Sequence, residues 1–413
     1  MPNVRSLKSY MNEAAANTHM QHLEQLVFDL GVEGTRKAIM FLRDVRDMLS
    51  QGNDNKKTVT TVKWDGAPAV FAGINPENGK FFIAKKGLFN KNPKLYYSHE
   101  DIDSDTSGDL ADKLKVAFTE CKKLGIKSGV YQGDIMFTRN DLKSQTIDGT
   151  KYITFHPNTI LYAVPLNSAL GKRILGSNIG IVWHTTYEGD SIQNLSASFG
   201  KNITSKFRKS SSSWMEDATF KDVTGAATFT PEERKTFDAM LANIGRAFQK
   251  MPSQTLNAIH KDPDLLMLVH TYDNSKVRAG EKITNVEAHV DGLYKFIDDR
   301  FTKEASGMKT QAGKDRTDAR RTKILNFFLV HPKREIIALF ELSKMIAEAK
   351  LYLIKKMNQA NNIGTFLKTK SGFRVTSPEG FVAISDHGAI KLVDRYEFSL
   401  ANFDPMFMKG WQR

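Results

Sequence analysis

Residues 58–66 read TVTTVKWDG, and the reading of this stretch decides the fold. Alternating Thr and Val suit a pleated strand, and an Asp-Gly pair suits the turn that ends one. The run delivers Lys63 two residues ahead of Asp65-Gly66. A lysine in that position is either a solvated strand-end charge or a nucleophile. Free lysine is protonated at neutral pH, with an ordinary pKa of about 10.4. Burial or a nearby cation favours the neutral amine that can attack. The local pattern alone does not choose, so the choice rests on what accompanies it.

Three further segments follow in order. Residues 81–87 (FFIAKKG) read as a strand ending in Lys85, Lys86 and a glycine. Residues 129–137 (GVYQGDIMF) read as a strand interrupted by Gly133-Asp134, with Tyr131 just ahead. Far downstream, residues 378–383 (PEGFVA) and 389–393 (AIKLV) form a hairpin-like pair around SDHG at 385–388. The first strand of that pair opens with Glu379, and the second carries Lys391.

This ordered set resembles the motifs of the covalent nucleotidyltransferases, the superfamily of ATP-dependent DNA and RNA ligases and capping guanylyltransferases. The overall pattern is also similar to ligase-like proteins of large tailed phages, which implies the cytoplasm of an infected bacterium. Motif I corresponds to Lys63–Gly66, motif Ia to residues 84–87, motif III to Gly133-Asp134, motif IV to residues 379–382, and motif V to the strand of Lys391. The resemblance implies that Lys63 attacks the α-phosphate of ATP and carries the nucleotide, with Asp65 and Lys391 in the catalytic set. It places Thr61, Lys85, Tyr131, Asp134 and Phe155 around the nucleotide, and Asp134 and Glu379 on Mg²⁺ or Mn²⁺. A hard cation of this kind is satisfied by a few carboxylates, phosphates and waters.

The chain also departs from the family pattern. Thr61 stands where ligases carry a glutamate, motif Ia reads Ala-Lys-Lys-Gly, and motif V keeps one lysine. The 20 residues after Val393 leave no room for the usual OB-fold. A ligase for RNA rather than DNA, a capping-type enzyme, and a degenerate ligase scaffold kept for nucleic-acid binding or assembly all remain open. Each residue has a plainer reading too: Asp-Gly and Gly-Asp pairs make turns and bulges, Lys391 suits an outward strand position, and Phe155 suits a core.

Composition agrees with a polyanionic partner. Lys and Arg number 59 against 46 Asp and Glu, a net charge of +13. Such an excess favours nucleic acid through counterion release, and it also serves solubility. The single cysteine, Cys121, excludes an internal disulfide and a multi-cysteine metal site. No apolar run is long enough to span a membrane, and the first residues lack a secretory core.

The expected architecture is α+β: an antiparallel nucleotidyltransferase core with N-terminal helices and a large helical insertion. Residues 1–52 read as a helical extension, with apolar stripes stopping at Gly31 and near Gly52. Residues 53–202 and 369–413 supply the two parts of the core. Residues 203–368 form the insertion, where Thr230-Pro231-Glu232-Glu233 is a capping box with proline at the first helical position. Amphipathic runs follow at 231–250, 281–303 and 333–358. Lys309, Lys314, Arg316, Arg320, Arg321 and Lys323 make a basic cluster in a stretch read as a loop plus helix start. The cluster is either a phosphate-tracking surface or a solvated helix face. His156 and His184 fall on strands near the candidate site and read as satisfied core or rim histidines.

Overall fold

The computed structural model describes residues 22–51, 59–147, 149–199, 202–219, 227–360, 363–369, 372–375, 380–385 and 388–396. After a short turn of helix, α1 (Leu26–Gln51) leads into β1 (Val59–Lys63), β2 (Ala69–Ile74) and β3 (Phe81–Ala84). Next come α2 (His99–Asp105), α3 (Gly108–Lys122), β4 (Val130–Thr138), β5 (Lys143–Ile147), β6 (Thr150–Phe155) and β7 (Leu161–Pro165). Then follow α4 (Ala169–Leu175), β8 (Ile179–Glu188), β9 (Ser196–Phe199) and β10 (Ser213–Asp217). The helical region is α5 (Pro231–Lys250), α6 (Ser253–Leu256), α7 (Pro263–Arg278), α8 (Val286–Gly307), α9 (Gln311–Val330) and α10 (Lys333–Met357). The chain returns through β11 (Gly364–Thr369), β12 (Gly372–Val375), β13 (Gly380–Ser385) and β14 (Gly388–Leu392).

The protein is mixed α+β, as expected. Its described strands form three sheets, ordered β1-β13-β14, β10-β8-β4-β2-β3 with β9 beside β8, and β12-β11-β7-β6-β5. Pairing is antiparallel except that β10 runs parallel to β8. A long connection between those two strands lets the chain return in the same direction, which a tight hairpin cannot do. The hairpin read from residues 378–393 is present as β13 and β14, and β1 joins it on the far side of β13.

The expected break at Gly31 is real. There α1 leaves helical geometry, with φ 55° and ψ −124°, a region that glycine reaches without a Cβ penalty. The capping box at Thr230 forms as read, its hydroxyl accepting from the Glu233 amide. The basic stretch differs from expectation, since it is a full helix, α9, capped by Thr310 and holding Thr317 and Ile324 in the interior.

One core joins the N-terminal helix, the helical region and one face of the β13–β14 hairpin. Val27, Leu42 and Val45 of α1 pack with Phe237, Leu293, Leu339 and Leu353, and with Phe381, Ala383, Ile390 and Leu392. Separate clusters cover the two faces of the central sheet. Among the described residues no helix is long and apolar enough to cross a membrane.

Candidate functional site

Strand alternation sets the site. In the β1-β13-β14 sheet, Val62, Phe381, Ala383 and Leu392 point into the helical core. The opposite face therefore carries Thr61 and Lys63, with Lys391 across from Thr61 through Val382. Lys63 ends β1 opposite Gly380, next to Glu379, which lies outside the described residues. Thr61 is buried, and its hydroxyl points at the Val382 carbonyl oxygen at 3.5 Å.

After Lys63 the chain crosses to the central sheet. The Ala67 amide donates to the Ile135 carbonyl at 3.0 Å, and the Ile135 amide donates to the Pro68 carbonyl at 3.0 Å. The Ala67–Pro68 peptide is cis. The crossing presses Gly66 on β4 so closely that a Cβ there would stand 2.5 Å from the Asp134 Cβ. Glycine is therefore required where the lysine turn meets the β4 acid.

Asp134 shares its strand face with Gln132, which accepts a 2.6 Å hydrogen bond from the Tyr187 hydroxyl. Its other neighbour comes from a bulge. Gln132 pairs with Thr185 and Gly133 with Trp183, leaving His184 as the extra residue of β8. Bulges re-aim side chains, and here His184 Nε2 lies 3.6 Å from Asp134 Oδ2 while Nδ1 meets the Thr185 hydroxyl at 2.7 Å. Burial raises the Asp134 pKa, against the pull of His184, Lys63 and Lys86. Burial lowers the His184 pKa, with Asp134 opposing and Lys63 adding to the shift. Asp134 thus feels the charge of His184, Lys63 and Lys86, and His184 that of Asp134 and Lys63. The sequence reading left His184 as a core or rim histidine and weighed Lys85 rather than Lys86; the bulge that brings His184 to Asp134 has no signature in one strand alone.

Other expected members are engaged elsewhere. Lys85 Nζ lies 2.9 Å from Asp105 Oδ2, alongside Tyr96 and Lys94, so the second lysine of the pair, Lys86, is the one that acts on Asp134. Tyr131 lies on the opposite face of β4, in the helix-covered core, edge-on to Phe207. Phe155 is fully buried and stacks on Tyr162 with ring centroids 5.3 Å apart. Asp65 is buried, and its carboxylate accepts from Asn158 Nδ2 (2.8 Å), the Thr159 amide (2.6 Å) and the Ile160 amide (2.8 Å). Its own amide donates to the Tyr162 hydroxyl at 2.8 Å. Asp65 therefore braces the turn that carries Lys63.

Half of the basic cluster is neutralised within the helical region. Arg320 pairs with Glu304, Arg321 with Asp298, and Lys323 with Asp262. Lys309, Lys314 and Arg316 are exposed. The paired half of the cluster ties α9 to its neighbours, as a helix face does.

Among the described residues no group of three or more His, Cys, Asp or Glu is arranged for a metal ion. A Mg²⁺ that keeps its waters and binds substrate phosphates needs only one or two carboxylates. Asp134 fits that role, because the Asp65 oxygens are already occupied by three donors.

Residues 17–406 match the family of unknown function DUF6267, and the chain belongs to that family. No curated protein and no solved structure matches the chain.

Proposed function

We propose that this family member is an ATP-dependent polynucleotide ligase, RNA slightly favoured over DNA, working through a lysyl-nucleotide intermediate. On this reading residues 53–202 and 369–413, which carry β1–β9 and β12–β14, make the nucleotidyltransferase core, and the helical region is an addition to it. The observation that carries the reading is the meeting of two distant motifs. Gly66 lets the Lys63 turn lie directly on Asp134, beside the bulged His184.

In the first step the Lys63 amine attacks the α-phosphorus of ATP. A nitrogen–phosphorus bond forms, the bond to the bridging oxygen breaks, and pyrophosphate leaves with that electron pair. The ammonium proton must go first. His184, kept neutral by burial, and Asp134 both sense the Lys63 charge and are bases suited to take it. Mg²⁺ or Mn²⁺, when bound, neutralises phosphate charge, and Asp134 is the described residue suited to hold it. Lys86 adds positive charge on the same side. Positioning and charge neutralisation are what phosphoryl transfer mainly asks of a protein.

A binding or assembly protein on the same scaffold is the second reading. It is favoured by Lys85, Tyr131 and Phe155 being engaged in the fold rather than facing Asp134. Covalent labelling separates the two. The protein is incubated with α-³²P-ATP or α-³²P-GTP and Mg²⁺ or Mn²⁺, denatured, and run on a gel. Label from ATP that is lost in Lys63→Ala is the expected result. Label from GTP alone indicates capping chemistry, and no label from either nucleotide sinks the enzyme reading.

A further inference from the structure

A second site stands on the far side of the central sheet. A cleft of 480 Å³ opens at the edge strand β10, where Arg173, Arg208 and Lys209 rim a floor that includes Ser210 and Ser213. Glu216 is the acid in its lining. Met215, which also lines the cleft, belongs to the helix-covered core with Tyr131, so the cleft faces away from Asp134.

The cleft is built on a braced loop. Asp217 accepts from the Ile203 amide at 2.7 Å and the Thr204 amide at 3.1 Å. The Arg208 amide donates to the Leu124 carbonyl at 2.8 Å, and the Ser212 hydroxyl donates to Glu120 at 2.6 Å. The backbone is held while the Arg208 and Lys209 side chains stay exposed. Among the described residues no carboxylate pairs with Arg173, Arg208 or Lys209. Ser213 adds an independent sign. It is 2% exposed, and its hydroxyl has no hydrogen-bond partner. Buried hydroxyls are normally paired, so an orphan in a cleft lining calls for an outside acceptor.

We propose that this cleft binds the phosphodiester backbone of a polynucleotide. Unpaired guanidinium and ammonium groups above serine hydroxyls match phosphate oxygens. Lys206, next in sequence to Phe207 of the cleft lining, lines a second hollow of 290 Å³ with Lys127 and one acid, Glu188. A single phosphate needs no such spread of positive charge, whereas a backbone does. The assignment is independent of lysyl-nucleotide chemistry.

The test is fluorescence anisotropy of the full chain with a fluorescein-labelled single-stranded RNA and the matching DNA, over a range of KCl. Arg208→Ala/Lys209→Ala is expected to bind at least about 10-fold more weakly, with the salt slope shallower by about 0.7 for each phosphate no longer neutralised. Ser213→Ala keeps every charge and is expected to weaken binding about 5-fold, the worth of one hydrogen bond, with no fall in thermal midpoint. The α9 control Lys309→Ala/Lys314→Ala, whose side chains are exposed, is expected to bind as the wild type. Unchanged affinity and slope in the Arg208/Lys209 variant would overturn the assignment. So would an equal loss in the α9 control. Displacement of the oligonucleotide by inorganic phosphate or ATP at the same phosphate concentration would also overturn it, in favour of a free phosphorylated ligand.

Discussion

Asp65 and Asp134 are the same residue type in opposite circumstances. Three donors converge on the Asp65 carboxylate inside the fold, whereas Asp134 is raised in pKa by burial and balanced by cations and His184. The first arrangement stabilises a turn, and the second keeps a group available for proton or metal chemistry. Asp65→Ala strands the Thr159 and Ile160 amides and the Asn158 side chain. Leaving buried donors unpaired costs about 1–3 kcal/mol each before relaxation. Urea denaturation should therefore show a destabilisation of about 3 kcal/mol. A change under about 1 kcal/mol would mean that water takes over the donors, and that Asp65 is no brace.

At the level of elements, breaks and bulges do the placing. At the break in α1 the Asn257 side chain packs against the backbone. Asn257 Oδ1 accepts from the Val32 amide at 3.0 Å, and a Cβ on Gly31 would come within 2.3 Å of that oxygen. Gly31→Ala combines this clash with a left-handed φ, a strain of about 1–3 kcal/mol. Its thermal midpoint should drop, and a midpoint equal to that of the wild type would show that α1 straightens at no cost. The bulge at His184 works the same way on the central sheet, since one extra residue in β8 turns a strand histidine toward Asp134. Helix α9 is where element-level reading failed. Its Gly and Thr suggest a loop, but Thr310 caps it, and pairs such as Arg321–Asp298 hold it down.

Over the whole molecule, the N-terminal segment and the helical region are one body. Glu24 and Lys350 form a buried pair at 2.7 Å, joining the approach to α1 with α10. Burial acts to raise the Glu24 pKa, but Lys350, His22 and Arg395 outweigh it and hold it at about 2. Burial lowers His22 to about 3. Both groups bind fewer protons folded than unfolded, so stability falls as pH drops. The His22 contribution declines below about 6.5 and the Glu24 contribution below about 4.5, toward their folded values. Lys350→Met leaves Glu24 buried without its partner, at a cost of about 3–5 kcal/mol. Urea midpoints at pH 7 should show that loss, and the gap to the wild type should narrow toward pH 3 as Glu24 protonates. A gap independent of pH would exclude the charge pair as its cause.

What the sequence determined by itself was local. The alternation in residues 59–63, the capping box at Thr230, the stop at Gly31 and the hairpin of residues 380–392 each depend on neighbours a few positions away, and each forms as read. The ordered set of segments, through its resemblance to the covalent nucleotidyltransferases, also put Lys63 and Asp134 in the candidate site. The tertiary structure decided which charges meet. Asp105 captures Lys85, the pleat turns Tyr131 away from Asp134, and acids on and beside α7 and α8 neutralise half of the α9 cluster. Arg208 and Lys209 keep their charge exposed beside the edge strand β10. Pairing and face depend on residues far away along the chain, and a Coulomb partner a few ångströms away in space leaves no mark on local spacing.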